Sequence, residues 1–400
     1  MSMSERSSAC DVVIIGGGVA GLWARHALTA AGYSVVLLER GRLGAGQTAA
    51  SQGILHAGFK YSITEASQKI SEDLQRNREE WHRSLAGVGG PDLRRVRILA
   101  STMHFWSVGM LARAAGVAAG SVMRSGVRAL GRMEFPACFA DAPSSVSAWE
   151  VSEKSVDPAS LARELAASAQ GAIVSPVAVR RIDAETGTVV ATDGAGRTLR
   201  VRGQRVLLAA GEGSGALLTL AGIDSVRVMQ TRPLHQVLVR PAPFSLFAHC
   251  MQPRPKPRIT VTTMESLRGE RVWYLGGDVA ETGVARSAAE QVAFARAELR
   301  ECIPWVDLSA AQFATLRVNR AEARLSGNQR PIGPELREFG RLIAVWPTKL
   351  AMAPSAADAV LKNLRAAGVR PGAVQENDLP SYEPPDCEPP PCDSPSLAWS

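Results

Sequence analysis

The amino-acid sequence predicts an α/β protein in two parts. One is a parallel sheet with helices; the other is a discontinuous α+β part on a mostly antiparallel sheet. Three observations carry this. First, the apolar run Val12–Ile15, a glycine-rich turn, a helical pattern to about Ala31 and a second apolar run through Leu38 form a βαβ unit. Second, strand-like apolar runs ending in glycine or proline turns return at Arg205–Gly211 and Leu342–Pro347. Third, Gln236–Val239, Ile259–Thr263 and Val272–Leu275 are short strand-like runs set between turn residues. A chain of 400 residues is long enough for two such parts.

The first unit is also a dinucleotide signature. Gly16, Gly18 and Gly21 fall on the G-x-G-x-x-G spacing, and Glu39 ends the second strand 18 residues beyond Gly21. The first glycine allows the tight turn, the second lets backbone approach a pyrophosphate, and the third lets helix and strand pack closely. The helix N-terminus offers N–H groups and a positive dipole end to phosphate. A carboxylate at Glu39 accepts from a ribose diol. The motif alone does not separate FAD from NAD.

Composition narrows the class. Hydrophobic residues make up 46% and charged residues 21%, as in a soluble globular protein. Only six of the 45 basic residues are lysine, and the arginines are scattered, so the net charge of +7 forms no basic run for nucleic acid. Solvated faces account for the spread, with a basic approach for anionic substrates as the second use. The six cysteines lie apart except Cys387 and Cys392, which excludes C-x-x-C metal spacing and suits reduced thiols in a cytosol. Residues 1–10 lack the apolar core of a signal peptide, and no run approaches the roughly 18 apolar residues of a membrane span. A cytoplasmic protein without a transmembrane segment is expected, with peripheral membrane contact left open.

After Glu39, residues 41–53 form a second small-residue loop with Leu43 as its one sizeable apolar side chain. Thr48, Ser51, Gln52 and the glycines can offer hydroxyls and backbone N–H groups to a phosphate or a ring edge. Residues 65–86 read as a surface helix through Ile70, Leu74, Trp81 and Leu85, ended at Gly87–Pro91. Residues 92–149 mix a β-like piece, Val96–Leu99, with a helix-like one, Trp106–Ala119. Asp157-Pro158 reads as N-cap and first helical residue. Strand-like runs at Ala172–Val177, Val189–Ala191 and Leu199–Val201 lead into Arg205–Gly215. The block 225–327 adds a bend at Pro253, Pro255 and Pro257 and a helix from Ala288 to about Glu301, with Gly276-Gly277-Asp278 as a hairpin end. Gln329–Pro334 and Leu342–Pro354 lead into a helix through Arg365. From Pro371 the chain is proline-rich and polar, which reads as disorder.

Gly16-x-Gly18-x-x-Gly21, Glu39-Arg40 and Ser51-x-Gly53-x-x-His56-x-Gly58-x-x-Tyr61 together resemble the D-amino-acid oxidase superfamily of FAD enzymes. The H-x-G-x-x-Y element is most similar to glycerol-3-phosphate and L-2-hydroxyglutarate dehydrogenases; glycine oxidase and sarcosine oxidase are more distant. The resemblance implies a Rossmann-like FAD-binding domain from 10–90, 150–224 and 328–370. It implies a substrate domain from 91–149 and 225–327, and a tail over 371–400. The cofactor implied is FAD, in contact with Gly16, Gly18, Val19, Ala20, Gly21, Glu39, Arg40, Thr48, Ser51, Gln52, Gly53, Val177, Ala210, Gly211, Lys349 and Leu350.

The activity implied is removal of a hydride from the C–H bond alpha to a hydroxyl or amine of a small anionic substrate, such as a 2-hydroxy acid or glycerol 3-phosphate. Oxygen, a quinone or another carrier remains open as acceptor. His56 is the candidate base or hydrogen-bond donor beside the flavin. Covalent attachment of FAD in that region is an alternative, and His235 is a second base. Arg330-Pro331 resembles the superfamily element whose arginine meets a substrate carboxylate, and a planar bidentate donor suits that partner. Arg317 and Arg320 are weaker versions of the same idea. Lys349, just ahead of a helix, supplies a cation for an anionic reduced flavin. Alternatives are an amine oxidase of the glycine or sarcosine oxidase type, and a flavoprotein acting on RNA or as an accessory subunit. An NAD-linked dehydrogenase has no place for the loop after Glu39 or for the later returns. No metal site is expected.

Overall fold

The computed structural model describes residues 6–56, 66–109, 126–252, 254–372, 375–377, 379 and 385–400. Gly58 and Tyr61 of the expected motif lie outside the described residues, as does most of the Trp106–Ala119 piece.

Strand β1 (Arg6–Ile15) is buried from Ser8 onward and runs into the glycine turn. Helix α1 (Val19–Ala30) and β2 (Val35–Leu38) complete the first unit, with β2 parallel to β1 from Val12↔Val35 to Ile15↔Leu38. Next come β3 (Ile54–Leu55), the helix Ala66–Ala86, β4 (Ile98–Ala100), β5 (Met103–Val108), β6 (Val127–Ala129), β7 (Val146–Val151) and β8 (Lys154–Val156). The helix Pro158–Ala167 starts as its sequence predicts: the Asp157 carboxylate accepts from the N–H of Ala159 at 2.8 Å and of Ser160 at 3.0 Å. Strands β9 (Ala172–Val174), β10 (Val177–Asp183), β11 (Thr188–Asp193) and β12 (Thr198–Leu208) follow. Then come β13 (Met229–Arg240), β14 (Ala248–Gln252), β15 (Arg254–Glu265), β16 (Arg271–Gly276) and, after the helix Ala288–Cys302, β17 (Gln312–Ala323). The chain closes with β18 (Glu335–Phe339), β19 (Leu342–Trp346), the helix Ala353–Ala366 and β20 (Gln375–Asn377).

Among the described residues these strands form three sheets. The first runs β10-β11-β12-β1-β2-β9, with β19 parallel to β12, β18 antiparallel to β19 and β20 antiparallel to β1. Its centre, β12-β1-β2-β9, is parallel and apolar on both faces, as a sheet covered on both sides must be. One face packs α1 and the helices Pro158–Ala167 and Ala353–Ala366 around Ile14, Leu22, Leu28 and Leu37. The second sheet runs β17-β13-β16-β15-β14-β5-β7-β6, antiparallel except for β14 beside β5. Val237, Val239, Val261, Trp273 and Leu275 point to one of its faces and pack under the helix Ala288–Cys302. A small third sheet, β3-β8-β4, lies between them in sequence order. The α/β fold class with a parallel and a mostly antiparallel sheet is the one predicted.

Several local expectations differ. Trp106 sits in β5 rather than a helix, because its neighbours are buried on both faces of the sheet and a doubly buried strand mimics helical apolar spacing. Of the expected proline bend, Pro253 lies outside the described residues; the chain reverses between β14 and β15, Gln252 opposite Arg254, and Pro255 and Pro257 continue into β15. Gly276-Gly277-Asp278 is a strand-to-helix junction leading into the short helix Asp278–Thr282, and Gly277 turns it at φ +77°.

Residues 385–400, expected to be disordered, lie along the body. Leu43 N–H donates to Asp386 O and Glu388 N–H to Leu43 O, both at 2.8 Å. Cys392 N–H donates to the Tyr274 hydroxyl at 2.8 Å, and Ser400 exchanges two backbone bonds with Phe313. Leu397 and Trp399 pack on Leu238, Met264, Val272 and Tyr274. Proline content argues against regular structure, but it does not count backbone partners and apolar cover supplied by a distant sheet.

Candidate functional site

The glycine turn is built as its spacing demands. Gly16 has φ +116°, and a Cβ there would stand 2.6 Å from Ala209 O. A Cβ on Gly21 would be 1.9 Å from Gly16 O, so helix and turn touch backbone to backbone. Gly18 is different: a Cβ there would meet only Thr48 Oγ1, at 3.2 Å. Helix α1 starts at Gly18 with no side-chain cap and no acidic residue in its first turn, and Val19 and Ala20 are buried within that turn. Glu39 curls back on the motif, accepting from Gly17 N–H at 2.6 Å and Gly41 N–H at 2.8 Å. Val177 N–H donates to Glu39 O at 2.8 Å, which ties β10 to the end of β2. Arg40 lies at the surface beside it. At the end of β12, Ala210 and Gly211 turn with φ +55° at Gly211, facing Gln47.

The loop that follows Glu39 crosses the second sheet strand by strand. Ala321 N–H on β17 donates to Gln47 Oε1 at 3.0 Å, and Gln236 Nε2 on β13 donates to Ala50 O at 3.3 Å. Gln52 Nε2 reaches Tyr274 O on β16 at 2.9 Å, and Thr260 O and Thr262 Oγ1 on β15 at 3.3 Å. A Cβ on Gly276 would be 2.2 Å from Gln52 Oε1, so only glycine leaves room for that side chain. Thr48 Oγ1 accepts from Val19 N–H at 3.1 Å, and Ser51 Oγ accepts from Gly53 N–H at 3.4 Å. Gly53, at φ +66°, passes against Val156 O. The expected cofactor loop is thus sutured to both parts of the protein.

At its end the loop delivers His56 to a carboxylate that sequence inspection did not single out. His56 Nδ1 is 3.5 Å from Glu153 Oε1, and His249 Nε2 is 3.6 Å from Glu153 Oε2. His249 Nδ1 is 2.8 Å from Thr260 Oγ1. His56 is about one-third exposed, whereas Glu153 and His249 are buried. Burial pushes the Glu153 carboxyl up, but the two imidazoles outweigh it and hold it well below the usual carboxylate range. No local motif marks Glu153. It meets His56 only because β3 pairs with β8, Ile54 opposite Ser155.

The arginines separate by face. On β13 and β17, Gln230, Arg232, Arg320 and Glu322 share the face that carries Gln236, since Gln230 opposes Glu322 and Arg232 opposes Arg320. Arg232 pairs with Glu322, Lys256 with Glu281, and Arg320 with Glu281 at 3.2 Å. Arg330, half-exposed, stands 4.0 Å from both Glu281 and Glu322. Burial and then the neighbouring Arg330 charge lower the Arg320 guanidinium from its ordinary value. Burial raises Glu281, but Lys256 and Arg320 bring it below its ordinary value. Arg317 and His235 point to the opposite face. Arg317 donates to Val284 O (2.9 Å) and Arg286 O (2.7 Å), and His235 Nδ1 is 3.0 Å from Gly283 O. Both secure the 283–286 turn and are not brought to the cluster.

Lys349 follows β19 through Thr348, a buried threonine at φ +62°. That left-handed backbone costs a β-branched residue on the order of 1 kcal/mol or more. It sets Lys349 at the head of the turn Leu350–Met352, which feeds the helix Ala353–Ala366.

These residues fit FAD. Gly18 leaves a space that a Cβ would fill, the N-cap residue of α1 has no side chain to occupy the helix N-terminus, and Glu39 is positioned at the end of β2. Gln236 Oε1, beside the loop, is buried without a hydrogen-bond partner among the described residues. Comparisons agree. Residues 11–336 match the model of the family described as FAD dependent oxidoreductase. The probable FAD-dependent oxidoreductase PA4991 of Pseudomonas aeruginosa is 42% identical over 365 residues, 90% of this chain and 92% of that protein. The crystal structure of PA4991 superposes with a TM-score of 0.80 over 96% of this chain and 98% of that one, at 38% identity. Glycine oxidase from Geobacillus kaustophilus shares the fold, with a TM-score of 0.63, 17% identity and coverage of 93% and 97%. Among the described residues no helix is long and apolar enough to cross a membrane.

Proposed function

The chain belongs to the FAD-dependent oxidoreductase family, and on that premise we propose that it removes a hydride from the C–H bond alpha to a hydroxyl of a small anionic substrate, such as a 2-hydroxy acid or glycerol 3-phosphate. One observation carries the substrate class. Arg330 stands 4.0 Å from two carboxylates that other cations already engage more closely, on the sheet face over which the loop 47–56 is laid. A half-exposed guanidinium so placed gains by taking a substrate carboxylate or phosphate in bidentate fashion.

Bound FAD supplies the hydride acceptor. Gly16 to Gly21 with Val19 and Ala20 hold its pyrophosphate, and Glu39, Arg40 and Val177 its adenosine end. Thr48, Ser51, Gln52, Gly53, Ala210 and Gly211 line its extended middle. Lys349 and Leu350, at the head of their turn, would hold its ring end, where a cation favours an anionic ring. Arg330 orients the anionic end of the substrate and His56 takes the hydroxyl proton.

Anaerobic bleaching of the flavin bands across a panel of hydroxy acids, amino acids and glycerol 3-phosphate tests the proposal. Hydroxyl substrates with an anionic end should bleach it. Bleaching by amines alone would overturn the choice of a hydroxyl, and bleaching by neutral alcohols alone would overturn the role of Arg330.

A further inference from the structure

We propose that Glu153 is a positioning residue that fixes His56 with its proton on Nδ1 and its lone pair on Nε2, with buried His249 as the second anchor of the same carboxylate. The proposal rests on His56 acting as the base. Glu153 is 5% exposed and His249 2% exposed, so the carboxylate is out of water and must be compensated by protein groups. The titratable groups acting on it are His56, from the end of the loop, and His249, from β14. Each takes one oxygen, at 3.5 Å and 3.6 Å.

An ionised carboxylate only accepts hydrogen bonds, so the ring nitrogen that faces it carries the proton. For His56 that atom is Nδ1, which leaves Nε2 as the accepting atom of the neutral ring. For His249 the facing atom is Nε2, so its Nδ1 accepts from the Thr260 hydroxyl at 2.8 Å. The order is therefore directional. Thr260 sets His249, His249 anchors one oxygen of Glu153, and the other oxygen sets His56. A carboxylate held by His56 alone could turn about its side-chain bonds; one whose other oxygen is held by the buried His249 cannot.

In the reaction the substrate hydroxyl proton passes to His56 Nε2, while the C–H electron pair and its hydrogen leave as the hydride that bound FAD would accept. Glu153 stays ionised throughout. It faces the imidazolium at the distance it already keeps, so no reorganisation is needed when the charge appears.

Selective ¹⁵N-histidine NMR of the FAD-loaded protein tests this, with His56 assigned by the signals lost in His56→Gln. The expected wild-type result, at a pH where the ring carries one proton, is that proton on Nδ1. Glu153→Gln, whose amide both donates and accepts, should give a mixture of tautomers with the same FAD content per chain. Flavin reduction by the fastest substrate of the panel should fall about 10²–10⁴-fold in Glu153→Gln, with KM nearly unchanged. A neutral wild-type His56 protonated at Nε2 overturns the proposal, as does an unchanged tautomer or an unchanged reduction rate in Glu153→Gln. Should Glu153→Gln fail to fold, the wild-type tautomer alone decides. Failure of the substrate class would appear separately, as a panel without bleaching by anionic alcohols while the NMR result stands.

Discussion

Two alanine substitutions in one motif should fail for different reasons. At Gly21 the new Cβ would be 1.9 Å from Gly16 O, and both partners are backbone. The helix must move by more than about 1 Å, an overpacking cost at the upper end of roughly 1–3 kcal/mol. Better helix propensity offsets about 1 kcal/mol of that, leaving a net loss near 2 kcal/mol without any cofactor. At Gly18 the new Cβ meets only Thr48 Oγ1 at 3.2 Å, and the backbone at φ −76° suits alanine. The apoprotein of Gly18→Ala should therefore stay within about 1 kcal/mol of wild type. It should nevertheless lose FAD, because the methyl occupies the space the pyrophosphate needs. Cofactor at 100-fold over its Kd stabilises the native state by about 2.7 kcal/mol, so the variant forfeits that increment. The assay is denaturant unfolding of wild type, Gly18→Ala and Gly21→Ala, each with and without added FAD, alongside flavin absorbance of the purified proteins. A yellow Gly18→Ala with the full FAD-dependent increment would refute the reasoning. So would a Gly21→Ala apoprotein as stable as wild type.

Arg330→Leu should raise KM for the best anionic substrate about 10–100-fold while FAD content holds, in keeping with one lost charge-assisted pair; an unchanged KM would remove Arg330 from the substrate site. The Glu281 carboxyl is lowered in the folded protein by Lys256 and Arg320, so its contribution to stability is full above its ordinary value of 4.5 and is lost as pH falls through the lowered one. Denaturant midpoints measured below pH 5 should accordingly fall less steeply for Glu281→Gln than for wild type. Deleting residues 385–400 uncovers Leu238, Met264 and Tyr274 and frees Leu43, whose side chain packs on Gly17. A loss of about 2–4 kcal/mol and faster FAD release are expected from that truncation, read by unfolding and by recovery of free-flavin fluorescence.

Much of the fold is legible because its signals are local. The turn at Gly16–Gly21, the cap at Asp157-Pro158 and the helix after Ser287 each depend on a few adjacent residues. Ser287, for example, accepts from Glu290 N–H while the Glu290 carboxylate takes Ser287 N–H. His56, Arg330 and Lys349 are visible too, since each stands in a short motif. Glu153 and His249 are not. They are brought towards each other by the pairing of β14 with β5 and of β5 with β7, as His56 is brought to Glu153 by that of β3 with β8, and none of these pairings leaves a trace in residue spacing. The split of Arg317 from Arg320 is a matter of strand parity, which shows only once the register of β13 and β17 is fixed. The tail misleads for a related reason. Its cover is contributed by Tyr274 and Phe313, more than eighty residues away in sequence at the nearest.

The path of residues 47–56 bears on how such a chain can change over evolutionary time. Loops ordinarily absorb insertions and deletions, because a surplus residue bulges into water. Here Gln47, Ala50 and Gln52 meet β17, β13 and β16 in turn and His56 meets Glu153, so one added or removed residue would carry every later anchor away from its partner. Point substitutions along this segment have graded consequences. A change of length would not, and related chains that keep the same sheet should keep this stretch at constant length even where its residues differ.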